Sequence, residues 1–231
     1  MTSGNIAVFD HEVRRYLDFL RRCGKGFGAG DGEIDARIDE IEAFLDSKDP
    51  GQIDTPVVLD IKKSIREAEA VSGIETFGMR REQARFLNLP FYQTGKVRKD
   101  EIGPADVQIT LDLLEQHRPE VIFVAGDLSD PHGTHRMCME AIHGALATYS
   151  GGQPEVWYYR GAWQEWPVHE ADVLVPLSRE ELRRKILAIF KHQSQKDVAP
   201  FPGGYDEREF WQRVEQRNTA TARELDRLGL P

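Results

Sequence analysis

The hydrophobic positions of this 231-residue chain follow two different spacings. In several segments apolar residues recur at three- and four-residue steps, the spacing of an amphipathic helix that packs one face on a core. Shorter apolar runs between these segments predict strands. Alternating helices and strands are typical of an α/β fold, in which helices cover both faces of a mostly parallel sheet. The pattern therefore predicts an α/β protein.

The spacing also places the individual elements. Helices are predicted at residues 10–23, 33–46, 57–71, 104–117, 137–149, 178–191 and 207–228. Strands are predicted at residues 84–89, 121–125, 156–159 and 173–175. Ser72 and Gly73 predict a left-handed end for the third helix. Ser178 and Glu181, three residues apart, predict a capping box at the start of the sixth.

Glycine occupies every second position from Gly24 to Gly32. No apolar strand leads into this run, and it lacks the Gly-Lys-Ser/Thr ending of a phosphate-binding loop, so it predicts a flexible connector. With the short helix that follows, it forms a predicted insertion at about residues 24–55. The rest is predicted to be one domain that spans residues 1–231.

Charge and cysteine content exclude several classes of partner. The chain has 30 basic and 39 acidic residues, a formal charge of −9, and its basic residues are dispersed. Nucleic acids and anionic membranes require a concentrated positive surface, so neither is an expected partner. Cys23 and Cys138 have neither a metal-ligand spacing nor the pattern of a disulfide framework, and no apolar stretch approaches the ~20 residues of a membrane span. A soluble cytoplasmic protein is expected.

The main candidate site follows the strand predicted at residues 121–125. Gly126 begins a loop that contains four side chains able to bind metals or transfer protons, namely Asp127, Asp130, His132 and His135. In open α/β sheets, ligands bind at the carboxyl ends of the strands because the loops converge there. This segment therefore has the composition of half an active site.

Two histidines alone do not complete a metal site. Hydrolytic zinc commonly has three protein ligands and one bound water. An imidazole that is not on the metal can act as a general acid or stabilise an oxyanion, and carboxylates such as Asp127 and Asp130 can orient the rings. The alternative is an ordinary turn followed by the first residues of a helix. An isolated His-x-x-His pair leaves both interpretations open.

Three segments together resemble a known family. Ala125-Gly126-Asp127 and Asp130-Pro131-His132-Gly133-Thr134-His135-Arg136 resemble the second metal motif of the LmbE-like, or PIG-L, family of zinc-dependent N-deacetylases. Arg66-Glu67-Ala68-Glu69-Ala70 is similar to its Arg-x-x-Glu helix, and His192-Gln193-Ser194-Gln195 to its late His-x-Ser-Gln motif. In order along the chain, these motifs cover most of its length.

Further segments resemble one subgroup of that family. Residues 2–8, 88–92 and 209–213 are similar to the LmbE-like domain that some bacteria fuse behind glucosamine-6-phosphate deaminase. The resemblance implies a Rossmann-like three-layer fold and a cytoplasmic hydrolase that removes the N-acyl group of an N-acetylglucosamine-like sugar. His135 would then be a zinc ligand, and His132 would stabilise the tetrahedral intermediate or protonate the leaving amine.

One part of the family pattern is missing. The remaining zinc ligands and the general base of the family lie in a His-Pro-Asp-Asp segment after its first strand, and this chain contains no such segment. The expectation is a domain truncated at its N-terminus, without its first strand and helix and with negligible deacetylase activity by itself. The alternative is a non-catalytic accessory or sugar-binding domain that partners a glucosamine-6-phosphate deaminase domain.

Two other polar groups have open assignments. His192 is a candidate pocket residue, but a histidine at the end of a helix also interacts favourably with the helix dipole. Arg66 and Glu69 lie three residues apart on one helix face, where an ion pair within the helix is favoured over a role as substrate ligands.

Overall fold

The computed structural model describes residues 1–27, 31–96, 98–126, 133–160, 166–195 and 208–229. Four helices precede the first strand of these ranges, one helix connects it to the second strand, and the two strands pair in parallel, which confirms the predicted α/β class. The helices are α1 (Asp10–Phe27), α2 (Asp31–Ser47), α3 (Pro56–Glu75), α4 (Pro104–His117), α5 (Thr134–Leu146), α6 (Arg179–Phe190) and α7 (Phe210–Leu228). The strands are β1 (Val121–Ala125) and β2 (Glu155–Tyr159).

Local sequence signals fix the starts of several helices. Ser178 caps α6 as predicted: its hydroxyl accepts from the Glu181 amide at 3.2 Å, and the Glu181 carboxylate accepts from the Ser178 amide at 2.7 Å. Thr55 caps α3, and Pro56 follows at the first helical position. The N–H that proline lacks would have no hydrogen-bond partner within the helix at this position. Helix α4 has the predicted bounds.

The sheet has one covered face. Helix α5 packs against β1, and Val124 on that side is 3% exposed. The opposite face presents Val121, Phe123, Trp157 and Tyr159, with Phe123 67% exposed. The prediction that β1 is buried throughout was therefore wrong. A continuous apolar run does not distinguish a strand covered on both faces from one covered on a single face.

Two predicted strands do not form. Residues 84–89 are not paired in a ladder, because Asn88 has a left-handed φ of 48° and Pro90 follows, so a regular strand cannot continue. Residues 173–175 also lie outside any ladder, and the Val175 side chain is 74% exposed. An apolar pattern shows that a segment is suited to a sheet. Whether it forms a strand depends on the rest of the fold, which must place another strand beside it.

Two predicted breaks between helices also differ from the structure. Helix α3 continues through Gly73 to Glu75, so the predicted stop at Ser72-Gly73 was wrong. Gly73 packs closely on His192, whose Nε2 lies 3.1 Å from the position of a Cβ built on Gly73, and this contact explains the glycine. In the predicted connector at 24–32, α1 extends to Phe27 and α2 begins at Asp31, while residues 28–30 lie outside the described ranges.

The buried apolar residues form two clusters. The first joins α1, α2 and α3 through Val13, Leu17, Ile38, Ile41, Leu45 and Val58. The second contains Leu89, Phe91, Tyr92 and Ala141, against which Met1 and Ile6 pack. The helical hairpin of α1 and α2 thus has its own core on α3, and the second cluster lies next to the start of α5. The single-domain boundary of residues 1–231 stays a prediction.

Four charged side chains form ion pairs that hold the hairpin of α1 and α2 against α3. The Lys62 amine is 2.6 Å from an Asp10 oxygen and 2.7 Å from an Asp54 oxygen, and the Lys48 amine contacts the same two carboxylates at 3.0 and 2.6 Å. Burial raises the pKa of Asp10, but hydrogen bonds from Lys62 and Lys48 outweigh it and leave that pKa below its usual value. Lys62 is only 3% exposed, so its charge depends on these two partners.

We predict that Lys62→Met destabilises the protein by about 3 kcal/mol, because it leaves two close carboxylates with one cation between them. Urea unfolding at pH 7 measures this loss. Lys63→Met is the matched control, because Lys63 meets only Asp60, at 3.4 Å on the surface. Since the Asp10 pKa is lowered on folding, its contribution is present above the unfolded pKa and disappears as the pH falls through the folded value. Equal free energies for the two variants would contradict the prediction.

Candidate functional site

The structure describes part of the predicted site. Asp127, Asp130 and His132 lie outside the described residues. His135 is the second residue of α5 and is half-buried. Gly133, with a φ of 67°, precedes the helix in a left-handed conformation that glycine adopts without strain. His135 therefore lies in the first turn of α5, which begins and ends earlier than the helix predicted at residues 137–149. Its role as a metal ligand stays a prediction.

Helix α5 brings His135 close to the second apolar cluster. Cys138, one turn further along α5, packs against that cluster with Met137. Burial raises the pKa of the Tyr92 hydroxyl to about 12, while the nearby Arg66 charge lowers it, Cys138 raises it, and a hydrogen bond with the Ile6 backbone lowers it. Tyr92 thus belongs to the cluster against which Cys138 of α5 packs, and its hydroxyl lies within the electrostatic influence of Arg66.

Polar side chains lie around Arg66 and on the N-terminal segment that approaches it, and we name this set the N-terminal polar cluster. Its members are Ser3, Asn5, Arg66, Glu69 and Ser194, and four of them are at least 94% buried, with 3%, 3%, 6% and 6% exposure for Ser3, Asn5, Glu69 and Ser194. Arg66 donates to the Glu69 carboxylate at 2.6 Å and to the Ser194 hydroxyl at 3.3 Å. The ion pair predicted between Arg66 and Glu69 is confirmed.

Ser194 joins this ion pair to a distant part of the chain. Its amide donates to one oxygen of Glu69 at 2.6 Å, and its hydroxyl donates to the other at 2.8 Å. The Gln195 side chain donates to the Ala7 carbonyl at 2.8 Å. Glu69 therefore accepts three hydrogen bonds and acts as an anchor, and the turn at residues 193–195 is held against both α3 and the N-terminal segment.

The N-terminal side of the cluster has polar atoms without a partner. Gly4 has a φ of 66°, and a Cβ at this position would lie 3.2 Å from Nε of Arg66, so the backbone approaches the guanidinium closely. Ser3 and Asn5 flank this glycine, and among the described residues Oγ of Ser3 and Oδ1 of Asn5 are buried with no hydrogen-bond partner. A buried polar atom without a partner costs about 1–3 kcal/mol, so a hydrogen bond to either oxygen would be favourable.

His192 lies beside this cluster. Its ring contacts Gly73, one turn beyond Glu69 on α3, and its buried Nδ1 has no hydrogen-bond partner within the part of the chain that the structure describes. Burial lowers the pKa of His192, and the Arg66 charge lowers it further while Glu69 opposes the shift. The neutral ring therefore packs between α6 and α3. The contacts of His192 favour a structural role between these helices. Its role as a pocket residue stays a prediction.

The described residues do not by themselves fit the zinc ion that the family resemblance implies. Within those ranges, no group of three or more His, Cys, Asp and Glu side chains is placed to hold a metal ion. His135 is the one predicted ligand that the structure describes. No chemical step is therefore assigned to a metal in this chain. None of the described helices is long and apolar enough to cross a membrane.

The sequence patterns did not identify several residues of this region as candidate site residues. Ser3, Asn5, Tyr92 and Cys138 were not singled out as site residues, because serine, asparagine and tyrosine are common in turns and on surfaces. The sequence signal that could have identified Ser3, Asn5 and Tyr92 was the resemblance of residues 2–8 and 88–92 to one subgroup of the LmbE-like family. These segments approach one another only in the folded chain.

The chain is similar to a protein of Bacteroides thetaiotaomicron named glucosamine-6-phosphate deaminase-like protein. The two are 46% identical over 236 aligned residues, which cover 99% of this chain and 35% of that protein. The chain thus spans about a third of the length of this relative. No family model and no solved structure matches the chain.

The lowered pKa of His192 gives a testable pH dependence. Because the unfolded histidine binds a proton at a higher pH than the folded one, stability is fully present above the unfolded pKa of 6.5 and falls as the pH decreases. We predict that the Tm falls more between pH 7.5 and 5.5 in the unmodified chain than in His192→Gln. His169→Gln, at a side chain 81% exposed, is the matched control and should keep the original dependence. An equal decrease in Tm for His192→Gln and for the unmodified chain would contradict this prediction.

Proposed function

We propose that this chain binds an amino sugar at the N-terminal polar cluster and acts in amino-sugar metabolism. The observation that carries the proposal is the pair of buried oxygens of Ser3 and Asn5, which have no hydrogen-bond partner among the described residues and flank the glycine that approaches Arg66. A sugar ring carries hydroxyl groups that donate and accept at close spacing, so it can satisfy both oxygens. The name of the Bacteroides relative, which refers to glucosamine 6-phosphate, supports the same class of ligand.

The charges of the cluster favour hydroxyl groups over a bare phosphate. Arg66 carries the positive charge, but Glu69 contacts it at 2.6 Å and compensates it. A phosphate at this position would compete with the Glu69 carboxylate for the guanidinium and would lie close to its negative charge. We therefore assign the sugar ring to the cluster and leave a phosphate, where present, to the solvent side.

The finer proposal is that this binding region serves a zinc-dependent N-deacetylase. It rests on the LmbE-like resemblance, in which His135 binds the metal and His132 stabilises the developing charge. His135 and Cys138 lie three residues apart on α5, and Cys138 packs against the cluster that contains Tyr92. The described residues supply one imidazole there, so we assign sugar binding, and not hydrolysis, to this chain alone.

Ser3→Ala provides a direct test of sugar binding. The variant removes a buried hydroxyl that has no hydrogen-bond partner among the described residues, so the free energy of unfolding is expected to stay constant or to increase. The affinity for N-acetylglucosamine, measured by calorimetry, should fall roughly five-fold, since one hydrogen bond contributes about 1 kcal/mol. Ser64→Ala, at an exposed position on α3, is the matched control.

The outcome separates a binding residue from a structural one. A lower affinity with unchanged stability supports the site. An unmodified chain that shows no binding of N-acetylglucosamine or glucosamine 6-phosphate would contradict the proposal, and so would an equal affinity for Ser3→Ala and Ser64→Ala.

A second prediction concerns catalysis. The purified 231-residue chain, supplied with zinc, should release negligible acetate from N-acetylglucosamine, because the described residues lack a three-ligand metal group. An enzymatic acetate assay and metal analysis of the dialysed protein measure this. One firmly bound zinc ion per chain, together with acetate release that His135→Ala abolishes, would show that the chain is a complete deacetylase.

A further inference from the structure

The exposed side of the two-stranded sheet is largely apolar. Side chains at alternate positions of a strand project from the same face, so Val121 and Phe123 of β1 share a face with Trp157 and Tyr159 of β2. We name these four residues the bare sheet face. The parallel register places Phe123 beside Trp157, and their ring centroids are 5.7 Å apart. The bare sheet face is therefore a continuous, mainly aromatic surface.

The other side of the same sheet shows what ordinary packing on these strands looks like. There Val124 is buried, and the Tyr158 hydroxyl meets Nε2 of His143 on α5 at 2.6 Å. On the bare sheet face, Phe123 and Tyr159 are 67% and 52% exposed. Exposed aromatic patches of this kind mark interaction surfaces, because leaving them in water is unfavourable.

The outer edge of β1 is also suited to a partner. The described hydrogen bonds at the two ends of β1 lead to β2: the Glu155 amide donates to Glu120 at 2.8 Å, and the Gly126 amide donates to Tyr159 at 2.9 Å. Within the described residues, β2 is the strand that pairs with β1. Val121–Ala125 contains no charge and no proline, the features that usually prevent an edge strand from pairing with another. A further strand can therefore add to this edge.

The similarity to the Bacteroides protein indicates which partner fits. That protein aligns with nearly the whole of this chain, yet about two thirds of its own length has no counterpart here. We propose that the bare sheet face and the β1 edge dock a polypeptide segment of the kind found in that remainder. The segment would be a strand with apolar residues at alternate positions, followed by an amphipathic helix. The strand would extend the sheet beyond β1, and the helix would cover Phe123 and Trp157.

Charge supports an apolar polypeptide as the occupant. Glu155 is the one charged residue within β1 and β2, and it accepts a hydrogen bond from the Trp157 indole at 3.0 Å. No basic residue lies in either strand, so an anionic ligand has no counter-charge there. This inference goes beyond the proposed sugar binding and does not depend on it, because the two sites share no residue.

The experiment mixes this chain with the non-aligned part of the Bacteroides protein, produced as a separate polypeptide. We expect a 1:1 complex by light scattering and slower hydrogen exchange at residues 121–125. Phe123→Glu and Val121→Lys should each weaken the complex about tenfold or more. Phe19→Glu is the matched control, since Phe19 is a comparably exposed aromatic residue, 59% exposed, on α1.

The controls keep the result interpretable. Phe123 is largely exposed, so circular dichroism and Tm should show that Phe123→Glu folds normally. Failure to form a complex, or equal affinities for Phe123→Glu and Phe19→Glu, would overturn the proposal. Protection of residues 121–125 in the chain alone, with a mass that rises with concentration, would assign the face to a second copy and would also overturn it. Sugar affinity, measured in parallel, reports separately on the proposed function.

Discussion

The buried carboxylate of Glu69 is the constraint on which the arrangement around the candidate site depends. A carboxylate that is 6% exposed needs partners inside the protein, and Glu69 obtains them from Arg66 on its own helix and from the amide and hydroxyl of Ser194. Because Ser194 lies 125 residues further along the chain, satisfying one charge fixes the distance between α3 and the turn after α6. Gln195 then reaches the N-terminal segment through Ala7, and this contact sets the position of Ser3 and Asn5.

Helix α3 thus organises the molecule from both ends. Near its start, Lys62 holds the hairpin of α1 and α2 through Asp10 and Asp54, whereas further along Arg66 and Glu69 hold the N-terminal segment and residues 192–195. These contacts are ionic and buried, so they specify orientation more than they add stability. An apolar core alone would leave the helices free to rotate against one another. The polar contacts select one register, in which Ser194 lies against Arg66 and Glu69.

The helices were the most predictable part of the fold. Their apolar spacing and capping residues are local, so Pro104–His117 and the capped start at Ser178 could be placed from the sequence. Strands were less predictable, because a strand exists only where another strand pairs with it. Residues 121–125 found a partner in 155–159, whereas residues 173–175 have the same apolar character and lie outside any ladder. Glycines were misjudged for a similar reason, since Gly73 serves a contact with His192 within a helix and does not end it.

The sequence by itself determined the α/β class and most of the helix positions, because apolar spacing and capping depend on neighbours within a few residues. It did not determine which strands pair, since β1 and β2 lie far apart in the chain. Tertiary structure decided which surfaces and polar groups meet. The exposure of Phe123, the three hydrogen bonds to Glu69 and the unpaired oxygens of Ser3 and Asn5 all depend on segments far apart in the chain. Local pattern states what a side chain prefers, but burial and hydrogen bonding are properties of the packed whole.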